Sequence, residues 1–96
     1  MHERRELENM PTLFIPHQLR ELTAGLDRLE IPAGTLRQAL RAVEADYPEF
    51  VAQVRQGDGL LPGLAASIDG NFAARGLLAQ IGPASEVHLL PAVGGG

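Results

Sequence analysis

Apolar and polar positions divide this chain into short elements. Thr12-Leu13-Phe14-Ile15 reads as a strand between Pro11 and Pro16, because strand ends tolerate a missing amide donor. His17 to Gly25 reads as a loop with Leu19 and Leu22 turned toward the core. Arg28-Leu29-Glu30-Ile31 alternates polar and apolar residues, which predicts a half-buried strand paired with the first. Pro32-Ala33-Gly34 breaks it.

The clearest element follows. Thr35 is a good helix N-cap, and Gln38 three residues on completes a capping-box pattern. Leu36, Leu40, Val43 and Tyr47 fall on one helical face, with Arg37, Arg41 and Glu44 on the other. Pro48 is expected to stop this helix near Tyr47, since the residue before proline avoids α geometry. Glu49 to Gln56 reads as a short irregular helix carrying Phe50, Val51 and Val54 inward.

Gly57-Asp58-Gly59 and Pro62-Gly63 mark a loop. Leu64-Ala65-Ala66-Ser67-Ile68 is the next strand, Asp69-Gly70-Asn71 a hairpin turn, and Phe72-Ala73 a brief return strand. Leu77, Leu78 and Ile81 suggest a helical turn closed by Gly82-Pro83. Glu86-Val87-His88-Leu89-Leu90 alternates into a final strand that Pro91 ends. One helix held against later and earlier strands is an α+β layout.

The ends have a different texture. Residues 1–10 are strongly charged and read as an extension, 11–93 as a single domain, and 94–96 as a tail of Gly94, Gly95 and Gly96. The amino terminus lacks the apolar stretch of a secretory signal, and no apolar run approaches the roughly 20 residues of a membrane span. A cytoplasmic location without membrane contact is the expectation.

Composition narrows the chemistry. There is no cysteine, so disulfides, thiolate metal sites and thiol nucleophiles are excluded together. A net charge of −4 argues against general nucleic-acid binding. Every basic side chain other than histidine is arginine, so no ε-amino group can be modified. His2, His17 and His88 have no neighbours at metal-ligand spacing. Glu44 and Asp46 do not face each other on a helix, and Ser67 and Ser85 have no base beside them in sequence. Gly57-Asp58-Gly59 lacks the lysine and the preceding strand of a phosphate loop. No catalytic set is visible, and a free-standing enzyme is the least favoured class.

The carboxyl end carries a resemblance. Val87-His88-Leu89-Leu90-Pro91-Ala92-Val93-Gly94-Gly95-Gly96 resembles the ending of the MoaD/ThiS family of ubiquitin-like sulfur-carrier proteins. Ile15-Pro16 with Leu19-Arg20 and Gly25, Gly34-Thr35-Leu36 with Leu40, and Ile68-Asp69-Gly70 are similar to other stretches of that family, with the first hairpin closest to carriers of bacterial cysteine biosynthesis. The resemblance covers about residues 11–96 and implies a β-grasp fold, a mixed sheet packed on one main helix.

It also implies a function. The Gly96 carboxylate is adenylated by an E1-like, ATP-dependent activating enzyme and becomes a thiocarboxylate that a sulfur-accepting biosynthetic enzyme consumes. The pathway is cysteine or molybdopterin biosynthesis, the latter as the small subunit of a synthase. The carrier itself binds no cofactor, and ATP is used by the partner. Gly94 and Gly95 suit threading into a narrow channel, because they have no β-carbon and adopt any backbone conformation. Ordering such a tail costs about 1–2 kcal/mol per residue. That cost predicts a partly apolar docking face at its base, made by Leu90, Pro91, Ala92 and Val93, with His88 exposed on the strand's outer side. Two other classes share these features: a protein modifier joining Gly96 to target lysines, and a β-grasp interaction module with an inert tail.

Overall fold

A computed structural model describes residues 10–91 of the chain; the residues expected to form the glycine tail, and all of the expected extension except Met10, lie outside them. Strand β1 (Thr12–Phe14) runs antiparallel to β2 (Arg28–Glu30), with Leu13 opposite Leu29. Between them His17–Thr23 winds into a 3₁₀ helix and not the expected loop. Pro16 starts the turn, its carbonyl accepting from the Leu19 amide, and Ala24 ends it in the left-handed region at φ 57°. Leu19 and Leu22 pack against the core, as expected.

Helix α1 spans Leu36–Glu44 and α2 spans Pro48–Ala52. The Thr35 hydroxyl accepts the Gln38 amide at 3.2 Å, so the cap is real. Its reciprocal half is displaced, for Gln38 Oε1 takes the Gly34 amide at 2.7 Å. α1 ends at Glu44, a turn earlier than the periodicity through Tyr47 suggested. Pro48 forces Tyr47 out of helical geometry, to φ −134° and ψ 66°, and Tyr47 becomes the N-cap of α2. Pro48 then occupies the first turn of α2, where its missing N–H needs no partner.

Arg55–Gln56 (β3) and Gly59–Leu60 (β4) form a small antiparallel ribbon, where the end of the irregular helix and a loop were expected; the helix closes at Ala52 instead of running to Gln56. Strand β5 (Leu64–Ile68) turns back through Asp69 and Gly70 into β6 (Asn71–Phe72). Asp69 at φ 54° and Gly70 at φ 84° form a tight turn of the kind with two left-handed residues, whose twist matches the flanking strands. Gly76–Leu78 forms a 3₁₀ turn that buries Leu77 but leaves Leu78 exposed. Ile81 lies beyond that turn, where its amide donates to the Gly34 carbonyl and fastens the segment to the start of α1.

Strand β7 (Glu86–Pro91) enters the middle of the sheet, giving the order β2-β1-β7-β5-β6. It runs parallel to β1 and antiparallel to β5. Leu13, Ile15, Ala66, Val87 and Leu89 from the inner sheet face join Leu36, Leu40, Val43, Phe50 and Val54 in one core. Burying each large apolar side chain contributes roughly 1.5–3 kcal/mol. The result is a mixed sheet held on one face by the main helix, the β-grasp arrangement.

Candidate functional site

Alternation along β7 sorts its side chains. Val87 and Leu89 are buried, while Glu86, His88 and Leu90 face outward. Leu90 lies opposite Ala65 and keeps nearly half its surface exposed. Pro91, expected to end the strand, is its last described residue and stays in register with Leu64.

His88 is not as open as its outward position suggested. It is half-buried and stacks on Phe14 of the parallel neighbour, with ring centroids 4.3 Å apart and planes within 4°. The Arg28 guanidinium sits 5.3 Å from the centre of that same Phe14 ring. Glu86 Oε1 is 3.8 Å from His88 Nε2, which becomes an ion pair when the imidazole is protonated. This stack braces the outer face of the sheet upstream of Leu90.

At the end of β7 lies an apolar hollow of about 300 Å³. Pro16, Leu19, Leu61, Leu64, Leu90 and Pro91 contribute to its lining. These residues come from three separate stretches of chain, and only Leu90 and Pro91 were legible as a docking base from sequence. Leu19 alone gave a hint, as an apolar residue in a polar segment. The hollow opens where the chain departs for Ala92, Val93, Gly94, Gly95 and Gly96, whose expected roles lie outside the described residues.

The opposite end of β7 is clamped. Asp69 Oδ1 accepts the Glu86 amide at 2.9 Å, and Oδ2 accepts the Ser85 hydroxyl at 2.7 Å. These two donors, the Glu86 amide foremost, hold the Asp69 carboxyl below its ordinary value of 3.8. Ser85 thus takes its carboxylate partner from Asp69, sixteen residues away in sequence, and not from the adjacent Glu86. It is buried and also accepts the Gly82 amide at 2.8 Å, so it serves as a fastening and not a nucleophile. Among the described residues no group of His, Asp or Glu gathers as a metal site, and no helix is long and apolar enough to cross a membrane.

A mixed sheet in the order β2-β1-β7-β5-β6, with its last strand in the centre and the main helix on one face, is the ubiquitin-like β-grasp fold. The chain belongs to the ThiS family, whose model matches residues 13–96 and so includes the three terminal glycines. A chain in the crystal structure of the Amycolatopsis orientalis BexX/CysO complex is similar with a TM-score of 0.80 and 25% identity, over 90% of this chain and 99% of that one. Mycobacterium tuberculosis CysO is similar with a TM-score of 0.75 and 24% identity, over 86% and 99% of the two chains. Small archaeal modifier protein 1 from Methanosarcina acetivorans has a TM-score of 0.70 at 24% identity, over 91% and 96%. Among curated proteins none matches this chain.

Proposed function

We propose that this protein is a sulfur carrier whose Gly96 carboxylate is activated by a partner enzyme and carries sulfur as a thiocarboxylate. In the first step the carboxylate attacks the α-phosphate of ATP, forming an acyl-adenylate and releasing pyrophosphate. A sulfide-equivalent donor then attacks the acyl carbon and displaces AMP. The thiocarboxylate sulfur then attacks an electrophilic acceptor bound to an enzyme of cysteine or molybdopterin biosynthesis, and water hydrolyses the resulting acyl linkage, which frees the sulfur-bearing product and restores the carboxylate. Sites of this chemistry lie in the cytoplasm, where ATP is made available to the activating enzyme.

One observation carries the reading: the family match extends from β1 to the last glycine, residues 13–96. The hollow at the base of the tail supports it, because ordering the tail in a partner must be offset by contacts that the folded body makes. The BexX/CysO complex shows a similar chain assembled with another protein. For this chain the corresponding partners are an E1-like activating enzyme, which docks on Leu90, Pro91 and the hollow, and the sulfur acceptor. Gly94 and Gly95 thread into the activating enzyme, while Ala92 and Val93 lie at its entrance.

The test is the intact mass of the purified protein after incubation with candidate activating enzymes, ATP and sulfide. A shift equal to one oxygen replaced by sulfur, absent when Gly96 is removed, is the expected result. Linkage of Gly96 to lysines of other proteins, with no thiocarboxylate, would instead make the chain a modifier. With no lysine of its own, the chain cannot be an acceptor through a side-chain amine in such a reaction.

A further inference from the structure

The outer edge of β2 carries a pattern that carrier chemistry does not use. The Ile15 amide donates to Asp27 and the Ile31 amide to Pro11, with Leu13 opposite Leu29. Odd-numbered residues of this strand therefore direct their backbone groups toward β1. Arg28 and Glu30 direct theirs away from the sheet, and among the described residues no strand pairs with that side. Free edges are templates for another strand. Beside this edge, on the inner face, lies a hollow of about 220 Å³ whose lining includes Leu29, Ile31, Pro32, Val43 and Tyr47.

We propose that β2 pairs antiparallel with β2 of a second copy of this chain, about a two-fold axis passing between the two Leu29 residues. In this register Arg28 of each copy faces Glu30 of the other, and both pairs lie on the outer face. They are also the residues with free backbone groups, so each opposed pair exchanges N–H···O bonds without conflict. The two Leu29 side chains meet as the closely spaced, non-hydrogen-bonded pair and cover the adjoining hollows. Sliding the register to either neighbouring position that preserves these bonds sets Arg28 against Arg28 or Glu30 against Glu30. The charge pattern thus selects one register and opposes the others.

The ladder is short by construction. Pro32 has no amide to extend it, and the Leu26 amide is already given to the Thr23 carbonyl. Arg28 also lies 3.3 Å from its neighbour Asp27, and each copy carries a net charge of −4. The dimer is accordingly of the small, transient class. It is best measured near 0.15 M salt, where a screening length of about 8 Å damps the long-range repulsion and leaves contact pairs intact.

The experiment follows sedimentation and hydrogen exchange at the Arg28 and Glu30 amides across a concentration series. It compares the full chain, Arg28→Glu, and the double swap Arg28→Glu with Glu30→Arg. In the unsubstituted chain, sedimentation coefficient and amide protection rise together with concentration. The single swap weakens association by roughly tenfold or more, and the double swap restores it. The proposal is overturned by a monomer with unprotected edge amides at every concentration, or by a single swap that associates as well as the original. Protection independent of concentration also overturns it, and assigns the edge to the chain's own residues 1–9. None of these readouts requires the tail to be activated.

Discussion

Ser85 and Asp69 are sixteen positions apart in the chain, yet the serine hydroxyl donates to the carboxylate over 2.7 Å. Their contact joins the β5–β6 turn to the start of β7. The strand that leads to the glycine tail is thereby held at one end by hydrogen bonds and at the other by apolar packing.

This clamp has a pH signature. Asp69 has a lowered pKa in the folded chain, so its contribution to stability is complete above the unfolded value and disappears as pH falls through the folded value. Asp69→Asn keeps a residue that tolerates positive φ, but weakens acceptance of the Glu86 and Ser85 donors. Thermal unfolding should show Asp69→Asn less stable at pH 7, with the gap to the original protein narrowing below about pH 4. A gap that stays constant down to acid would show that the carboxylate charge has no part in it.

The start of α1 should depend on one hydroxyl. Thr35→Ala removes the acceptor of the Gln38 amide and is expected to cost about 0.5–2 kcal/mol in denaturant unfolding. Thr35→Ser should retain most of that stability.

Docking and folding should separate at Leu90. Because this side chain is 46% exposed, Leu90→Glu is expected to leave the unfolding midpoint within a few degrees of the original. The same change should reduce kcat/KM for formation of the acyl-adenylate by about tenfold or more, through loss of apolar contact with the activating enzyme. Unchanged kinetics would remove Leu90 from the docking surface.

The tail should tolerate change in the free protein and not in the reaction. Gly95→Val adds a branched side chain to the glycine run that ends the sequence, and unfolding of the free chain is expected to be unaltered. Thiocarboxylate formation, followed by intact mass, should fall to background. Full conversion of this variant would mean that the channel entered by the tail is wide.

How much of this was legible beforehand differs from element to element. The Thr35 cap, the Leu36-Leu40-Val43 stripe and the Asp69-Gly70 turn were readable because their causes are local. Capping, periodicity and left-handed turns depend on residues within about one turn of each other. The division of Leu36–Ala52 into two helices was half visible in Pro48, but Tyr47 sits on the helical stripe and carried the expectation too far. The β3–β4 ribbon was hidden, since two-residue strands have no periodicity to detect.

For the candidate site, the alternation of Val87, His88 and Leu89 was enough by itself to put His88 on the outer side of β7, and the apolar end of that strand was legible in Leu90 and Pro91. Alternation along a strand is a property of the backbone itself, so it survives without knowledge of the neighbours. Only the tertiary structure decided that Phe14 covers one side of His88, that Asp69 holds Ser85, and that Pro16, Leu19, Leu61 and Leu64 gather beside Leu90 and Pro91. These contacts arise because β7 is inserted between β1 and β5. Residues far apart in the chain become neighbours through that insertion, and no local pattern records which ones will meet.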